Sequence, residues 1–229
     1  DKTIARIGKG LARAEEKGQA PAGAKDFVTG NITGTANLAD IADVDFVIES
    51  VLERMDVKKD VYGKLSNILG DNIIVATNTS SLSITEIAAV YKKPENVIGM
   101  HFFNPAMVMP LIEVIPCIQT APETVDAVME LSKAIGKKPI RVKEGPGFVV
   151  NRILIPGMNE AAFILNEGLA TIEDIDKAMK MAGPWVPSLS ATWSVSILPW
   201  QWLTPCLKRL AIPNTVPPLP SNSMFVLDG

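Results

Sequence analysis

The chain has 229 residues, 47% of them hydrophobic and 21% charged, with 22 basic and 25 acidic side chains and a formal net charge of −3. That balance supports a real core in one large domain or two modest ones, and it argues against a nucleic-acid surface, because no Lys/Arg run is present. Cys117 and Cys206 are too few for a disulfide framework and lack metal-ligand spacing. A reducing compartment is therefore expected, and no apolar run approaches the ~20 residues of a membrane-spanning helix.

The chain opens on Asp1, without Met or a signal-like segment, so it is expected to be a fragment. Ile4, Ile7, Leu11 and Ala14 recur at helical spacing and predict a helix over 1–18, broken by "GQAPAGAKD". "NITGT" (31–35) reads as a short strand, and the apolar, β-branched "DFVIESV" (45–51) as a buried one. A helix over 56–70 is expected to stop at Gly70, and "NIIVATN" (72–78) is the next strand. Ser83 and Glu86 form a capping box for a helix to about Tyr91. Strands follow over 96–103 and 110–116. Thr120 and Glu123 suggest a second capping box, for a helix to about Ile135, and "PIRV" (139–142) closes the series.

Short strands alternating with helices are the pattern of a mostly parallel sheet with helices on its faces. From "KEGPG" onward the pattern is helical only, over 147–166 and 172–181, with Pro156-Gly157 expected to kink the first helix. The fold class is thus α/β: an incomplete doubly wound, Rossmann-type sheet over 1–146, followed by the start of an all-α part over 147–184. From Pro184 the composition shifts. All four Trp lie between Trp185 and Trp202, and only Lys208, Arg209 and Asp228 carry charge beyond that point.

In doubly wound sheets, ligands bind outside the carboxyl ends of the strands. Three polar sets fall there: "NTSS" (78–81), His101 with Asn104, and Glu113 between Ile112 and Val114. His101 is the only histidine, and a lone His among apolar neighbours is more often structural. A carboxylate inside an apolar strand is costly unless paired. If the two strands are neighbours, Glu113 reaches one nitrogen of His101 and raises the basicity of the other. Otherwise Glu113 is a partly solvated edge residue.

"NTSSLSITEIA", "VIGMHFFNP", "PLIEVI" and "PGFVVNRILIP" together resemble the NAD-dependent L-3-hydroxyacyl-CoA dehydrogenases, over about residues 1–181. The resemblance implies hydride transfer between NAD and the C3 hydroxyl or keto group of a 3-hydroxyacyl-CoA, in cytoplasm or an organellar matrix. It implies His101 as general base and Glu113 as the residue that orients it. Ser80 and Asn151 would hydrogen-bond the reacting oxygen or His101, Asn104 would seat the nicotinamide end, and Glu53 and Lys58 match cofactor-contacting positions. It implies an acyl-CoA substrate, no nucleic-acid or membrane partner, no metal, and a homodimer in full-length relatives. Two other readings stay open: a non-catalytic relative, and an NAD-linked polyol or hydroxy-acid dehydrogenase.

The family's G-x-G-x-x-G turn does not occur in this sequence, so the chain as it stands is expected to be inactive. The resemblance implies that the helical part supplies the dimer contact, and because the likeness stops at about residue 182 the usual dimer is not expected. Residues 185–229 do not resemble the family. Back-translated with synonymous codons and read one base earlier, "WVPSLSATWSVSILPWQWLTPC" permits MGPLALGDLVGLDIALAMADSL, which does resemble it. The tail is therefore expected to be a frame-shifted reading and poorly ordered.

Overall fold

The computed structural model describes residues 2–182. Expectations that fall on the tail, including its frame shift and poor order, lie outside the described residues. The chain divides into two compact units, Asp1–Asp43 and Val44–Gly229.

In the first unit, helix α1 (Lys2–Glu16) and helix α2 (Ala24–Gly30) are followed by a 3-10 turn, Leu38–Ile41. Helix α2 begins inside the stretch read as a breaker, after Gly23 has reversed the chain at φ 83°. The expected strand over 31–35 does not form. Thr35 Oγ1 instead donates to Asp40, and Asn37 Oδ1 accepts Ala39 N–H at 3.2 Å, so local side-chain bonds hold the segment as a loop.

In the second unit, β1 (Phe46–Glu49), β2 (Ile74–Thr77), β3 (Val97–Phe102), β4 (Leu111–Pro116) and β5 (Lys138–Arg141) form one sheet in sequential order. All pairings are parallel except β3–β4, which is antiparallel. The sheet is thus mostly parallel and α/β as expected. The helices are α3 (Met55–Ile68), α4 (Ile84–Ala88), α5 (Pro122–Ala134), α6 (Val150–Asn166) and α7 (Ile172–Ala182).

Several helix ends differ from expectation. Helix α3 stops at Ile68, with Leu69 in extended backbone as its cap, rather than at Gly70. Ser83 does cap α4, accepting Glu86 N–H, but the Glu86 carboxylate reaches out to Lys59 at 2.7 Å, so the box is half made. Thr120 caps nothing. Pro122 fixes the first turn of α5 and makes Ala121 the N-cap, while Thr120 Oγ1 donates to Val97 O at 2.6 Å. Helix α6 begins at Val150, not 147, and runs on through Pro156 as one element.

Strand alternation sorts the side chains. Ala76, Ile98, Met100, Ile112 and Val114 meet Val125 and Val128 of α5 in a fully buried core. His101 and Glu113 alternate with these residues and so belong to the opposite face. There Gly99 lets α4 approach: a Cβ at that position would stand 2.4 Å from Ile84 Cδ1 and 3.1 Å from Ile115 Cβ.

Candidate active site

His101 and Glu113 are direct cross-strand partners in the antiparallel β3–β4 ladder. His101 Nδ1 lies 2.8 Å from Glu113 Oε2, and the side chains are 5% and 0% exposed. The expected pairing of the two side chains is present. A carboxylate only accepts, so Nδ1 is the donor in this bond, and in a neutral imidazole of that tautomer the second ring nitrogen keeps its lone pair.

Glu113 Oε1 accepts the backbone N–H groups of Val149 and Val150 at 3.0 and 3.1 Å. These are the first donors of α6, where unsatisfied N–H groups and the helix dipole favour negative charge. One carboxylate therefore orients the imidazole and caps the helix carrying Asn151. The turn into that helix is unusual. Gly147 and Phe148 both have positive φ, 70° and 51°, uncommon for a bulky residue like Phe. The Phe148 ring packs on His101 with centroids 5.5 Å apart, and Phe103 packs on it at 4.6 Å. Apolar rings thus wall the imidazole.

The loop after β2 forms another edge. Asn78 Oδ1 accepts Phe102 N–H at 2.9 Å, and its amide nitrogen donates to Ser50 Oγ at 2.9 Å, tying the carboxyl ends of β1, β2 and β3 together. Glu53 Oε1 gathers Thr79 Oγ1 at 2.6 Å, Ser80 N–H at 2.7 Å and Ser81 N–H at 3.1 Å. The Ser80 hydroxyl takes no part in that set. Asn151 Nδ2 reaches Ser80 O at 3.4 Å. Asn104, just past β3, is exposed.

Lys58 sits beneath this loop, 1% exposed, with its ammonium 2.8 Å from Glu49 Oε1 and 3.3 Å from Glu53 Oε2. Glu49 in turn accepts Thr77 Oγ1 at 2.7 Å and Val51 N–H at 2.7 Å. The structure thus brings His101 to Glu113, Ser80 to Asn151, and Lys58 to Glu53. Sequence reasoning singled out the set that holds Asn78 but missed Glu49, Phe148 and Glu144. Glu49 carried the same signal as Glu113, a carboxylate within an apolar strand. The positive φ of Phe148 has no sequence signal.

Polar groups thus collect at these strand ends: the exposed amide of Asn104 after β3, and Ser80 in the loop after β2. Among the described residues, no helix is long and apolar enough to cross a membrane.

Residues 1–145 match the family model described as 3-hydroxyacyl-CoA dehydrogenase, NAD binding domain, and residues 147–189 match the corresponding C-terminal domain. The chain is 49% identical over 181 residues to a 3-hydroxybutyryl-CoA dehydrogenase of Clostridioides difficile, covering 79% of this chain and 64% of that protein. It is 40% identical over 160 residues to the human mitochondrial hydroxyacyl-coenzyme A dehydrogenase, covering 68% of this chain and 51% of that one. Among solved structures, the (S)-3-hydroxybutyryl-CoA dehydrogenase PaaH1 of Ralstonia eutropha superposes with a TM-score of 0.80 at 38% identity, over 92% of this chain and 75% of that one. M. tuberculosis FadB2 gives 0.83 at 33%, over 90% and 73%. The chain spans less than two thirds of the length of the curated relatives it matches. It belongs to the 3-hydroxyacyl-CoA dehydrogenase family.

Proposed function

We propose that the site serves NAD-linked interconversion of a 3-hydroxyacyl-CoA and its 3-keto form. The observation that carries this is the buried His101–Glu113 pair, whose carboxylate is fully committed to Nδ1 and to the start of α6. Bound NAD supplies the hydride acceptor or donor at C3. His101 takes the hydroxyl proton on its free nitrogen, and Glu113 holds the tautomer and steadies the imidazolium that forms. Ser80 and Asn151 hydrogen-bond the reacting oxygen, and Asn104 holds the nicotinamide end. Glu53 shapes the loop on the cofactor side. Lys58, being enclosed, serves the site through Glu53. In this reading residues 1–146 form the dinucleotide-binding part, and a helical part begins at 147.

The single histidine makes the test direct. With labelled imidazole, acetoacetyl-CoA is expected to shift the one His101 NMR signal, whereas free acetoacetate is not. In a version that carries the family's G-x-G-x-x-G turn, NADH oxidation with acetoacetyl-CoA is expected to fall about 10²–10⁴-fold in His101→Ala, the usual contribution of a positioned base. An imidazole signal that ignores acetoacetyl-CoA, or answers equally to acetoacetate, refutes the reading.

A further inference from the structure

Glu144 lies in the link between β5 and α6 and has no role in the proposed chemistry. Its side chain bonds the start of α4. Oε1 accepts Ser83 Oγ at 2.7 Å, Oε2 accepts the Thr85 hydroxyl, and both oxygens lie 3.3–3.4 Å from Thr85 N–H. Thr85 Oγ1 also accepts Ile118 N–H at 3.2 Å, which ties the same point to the segment after β4.

These bonds matter because Glu144 immediately precedes a tight turn over residues 145–152. Phe148 N–H closes on Gly145 O at 3.1 Å, and Arg152 N–H closes on Gly147 O at 3.0 Å. That turn delivers the Phe148 ring to His101 and two N–H groups to Glu113. Its far end is fastened by Asn151 to Ser80. Segments 80–85 and 144–151 are therefore pinned at both ends, and Glu144 is the charged pin. A turn holding a Phe at positive φ needs such over-determination to persist.

We propose that Glu144 is a positioning residue for the His101–Glu113 pair, acting through the 145–150 turn. The inference rests on the proposed reading of that pair as the reacting centre. It implies that loosening Glu144 frees the amides that Glu113 accepts, without disturbing the sheet.

Amide hydrogen exchange on the full chain, compared among wild type, Glu144→Gln and Thr85→Val, tests this. Glu144→Gln keeps the shape but removes the charge, and Thr85→Val removes one donor while leaving Glu144 in place. Exchange at Val149 and Val150 is expected to rise about tenfold or more in Glu144→Gln and by less in Thr85→Val, since bonds to charged groups are the stronger kind. Ile98 and Met100 in the sheet should be unchanged. The His101 imidazole signal should shift in both variants as the Phe148 ring moves. If only Ile87 of α4 and Ala89 at its C-cap speed up, Glu144 is a helix cap and the proposal falls. It falls equally if neither variant moves Val149, Val150 or the imidazole. Should Glu144→Gln not fold, Thr85→Val alone decides. Because exchange needs no turnover, failure of the dehydrogenase reading would appear separately, as an imidazole signal blind to acetoacetyl-CoA.

Discussion

Lys58 places one ammonium against two carboxylates, Glu49 and Glu53, with all three side chains at most 4% exposed. Its removal leaves two buried carboxylates without a cation, the situation in which breaking a buried pair is most damaging. Lys58→Met is expected to cost about 3–5 kcal/mol in urea unfolding, although Met fills a similar volume. A loss below about 1 kcal/mol would show that Thr77, Thr79 and the loop amides carry those charges alone. Tyr62, on α3 below the same network, behaves differently. Its hydroxyl is buried and makes no hydrogen bond among the described residues. Burial pushes the Tyr62 phenol well above its ordinary value, and the charge of Glu49 adds to this. Near neutral pH the phenol is protonated in both the folded and the unfolded chain. Above about pH 10 the unfolded chain ionises while the folded one holds its proton, so stability falls as pH rises. Tyr62→Phe should change neutral-pH stability by less than about 1 kcal/mol, since it removes an unpaired group, and should flatten the alkaline loss. Urea midpoints at neutral and alkaline pH check both halves, and an unchanged alkaline slope would assign that loss elsewhere, with Tyr91 next in line.

At the scale of elements, the turn ahead of α6 is the most demanding piece of backbone. Gly147 has φ +70°, and a Cβ there would stand 2.9 Å from Arg152 N. Gly147→Ala therefore carries a left-handed backbone penalty of about 1–2 kcal/mol and a clash with the first turn of the helix. We expect it to lower the urea midpoint and to quench acetoacetyl-CoA binding at His101. A variant that binds normally would show that α6 can shift without moving Glu113. Most elements are legible in the sequence because strand runs such as "NIIVATN" and helix periods such as that of 1–18 are strong local signals. The His101–Glu113 pairing is legible too, since a Glu within "PLIEVI" needs a partner and only a neighbouring strand offers one. The features that escape a sequence reading depend on partners far along the chain. "NITGT" has strand-like residues but no strand beside it, and local bonds win. Thr120 has the right spacing for a cap, but Pro122 sets the helix start and Val97 takes its hydroxyl. Glu144 reads as one more charge in a linker until the fold brings Ser83 and Thr85 to it.

For the molecule as a whole, charge and exposed apolar surface act together. The chain carries a net charge of −3 and an isoelectric point near 5.3, so little repulsion separates copies in mildly acidic solution. The two last described helices meanwhile present apolar side chains to solvent: Ile153 is 72% exposed on α6, Leu169 70% in the turn after it, and Met181 77% on α7. Apolar surface of this kind associates when charge no longer keeps copies apart. Light scattering at fixed concentration should therefore peak near pH 5.3 and decline toward neutral pH as the charge grows. Added salt at neutral pH should raise it by screening the residual repulsion. The variant Ile153→Lys, Leu169→Lys, Met181→Lys attacks both terms, since it removes the exposed side chains and adds three positive charges. Its scattering at pH 5.3 should fall close to that of separate chains. The added charge moves the isoelectric point, so the comparison also needs Ile153→Ser, Leu169→Ser, Met181→Ser, which changes the surface and not the charge. If the serine variant scatters like the parent, these helices do not drive association. Attention then passes to Met107 and Val108 beyond β3, 87% and 73% exposed.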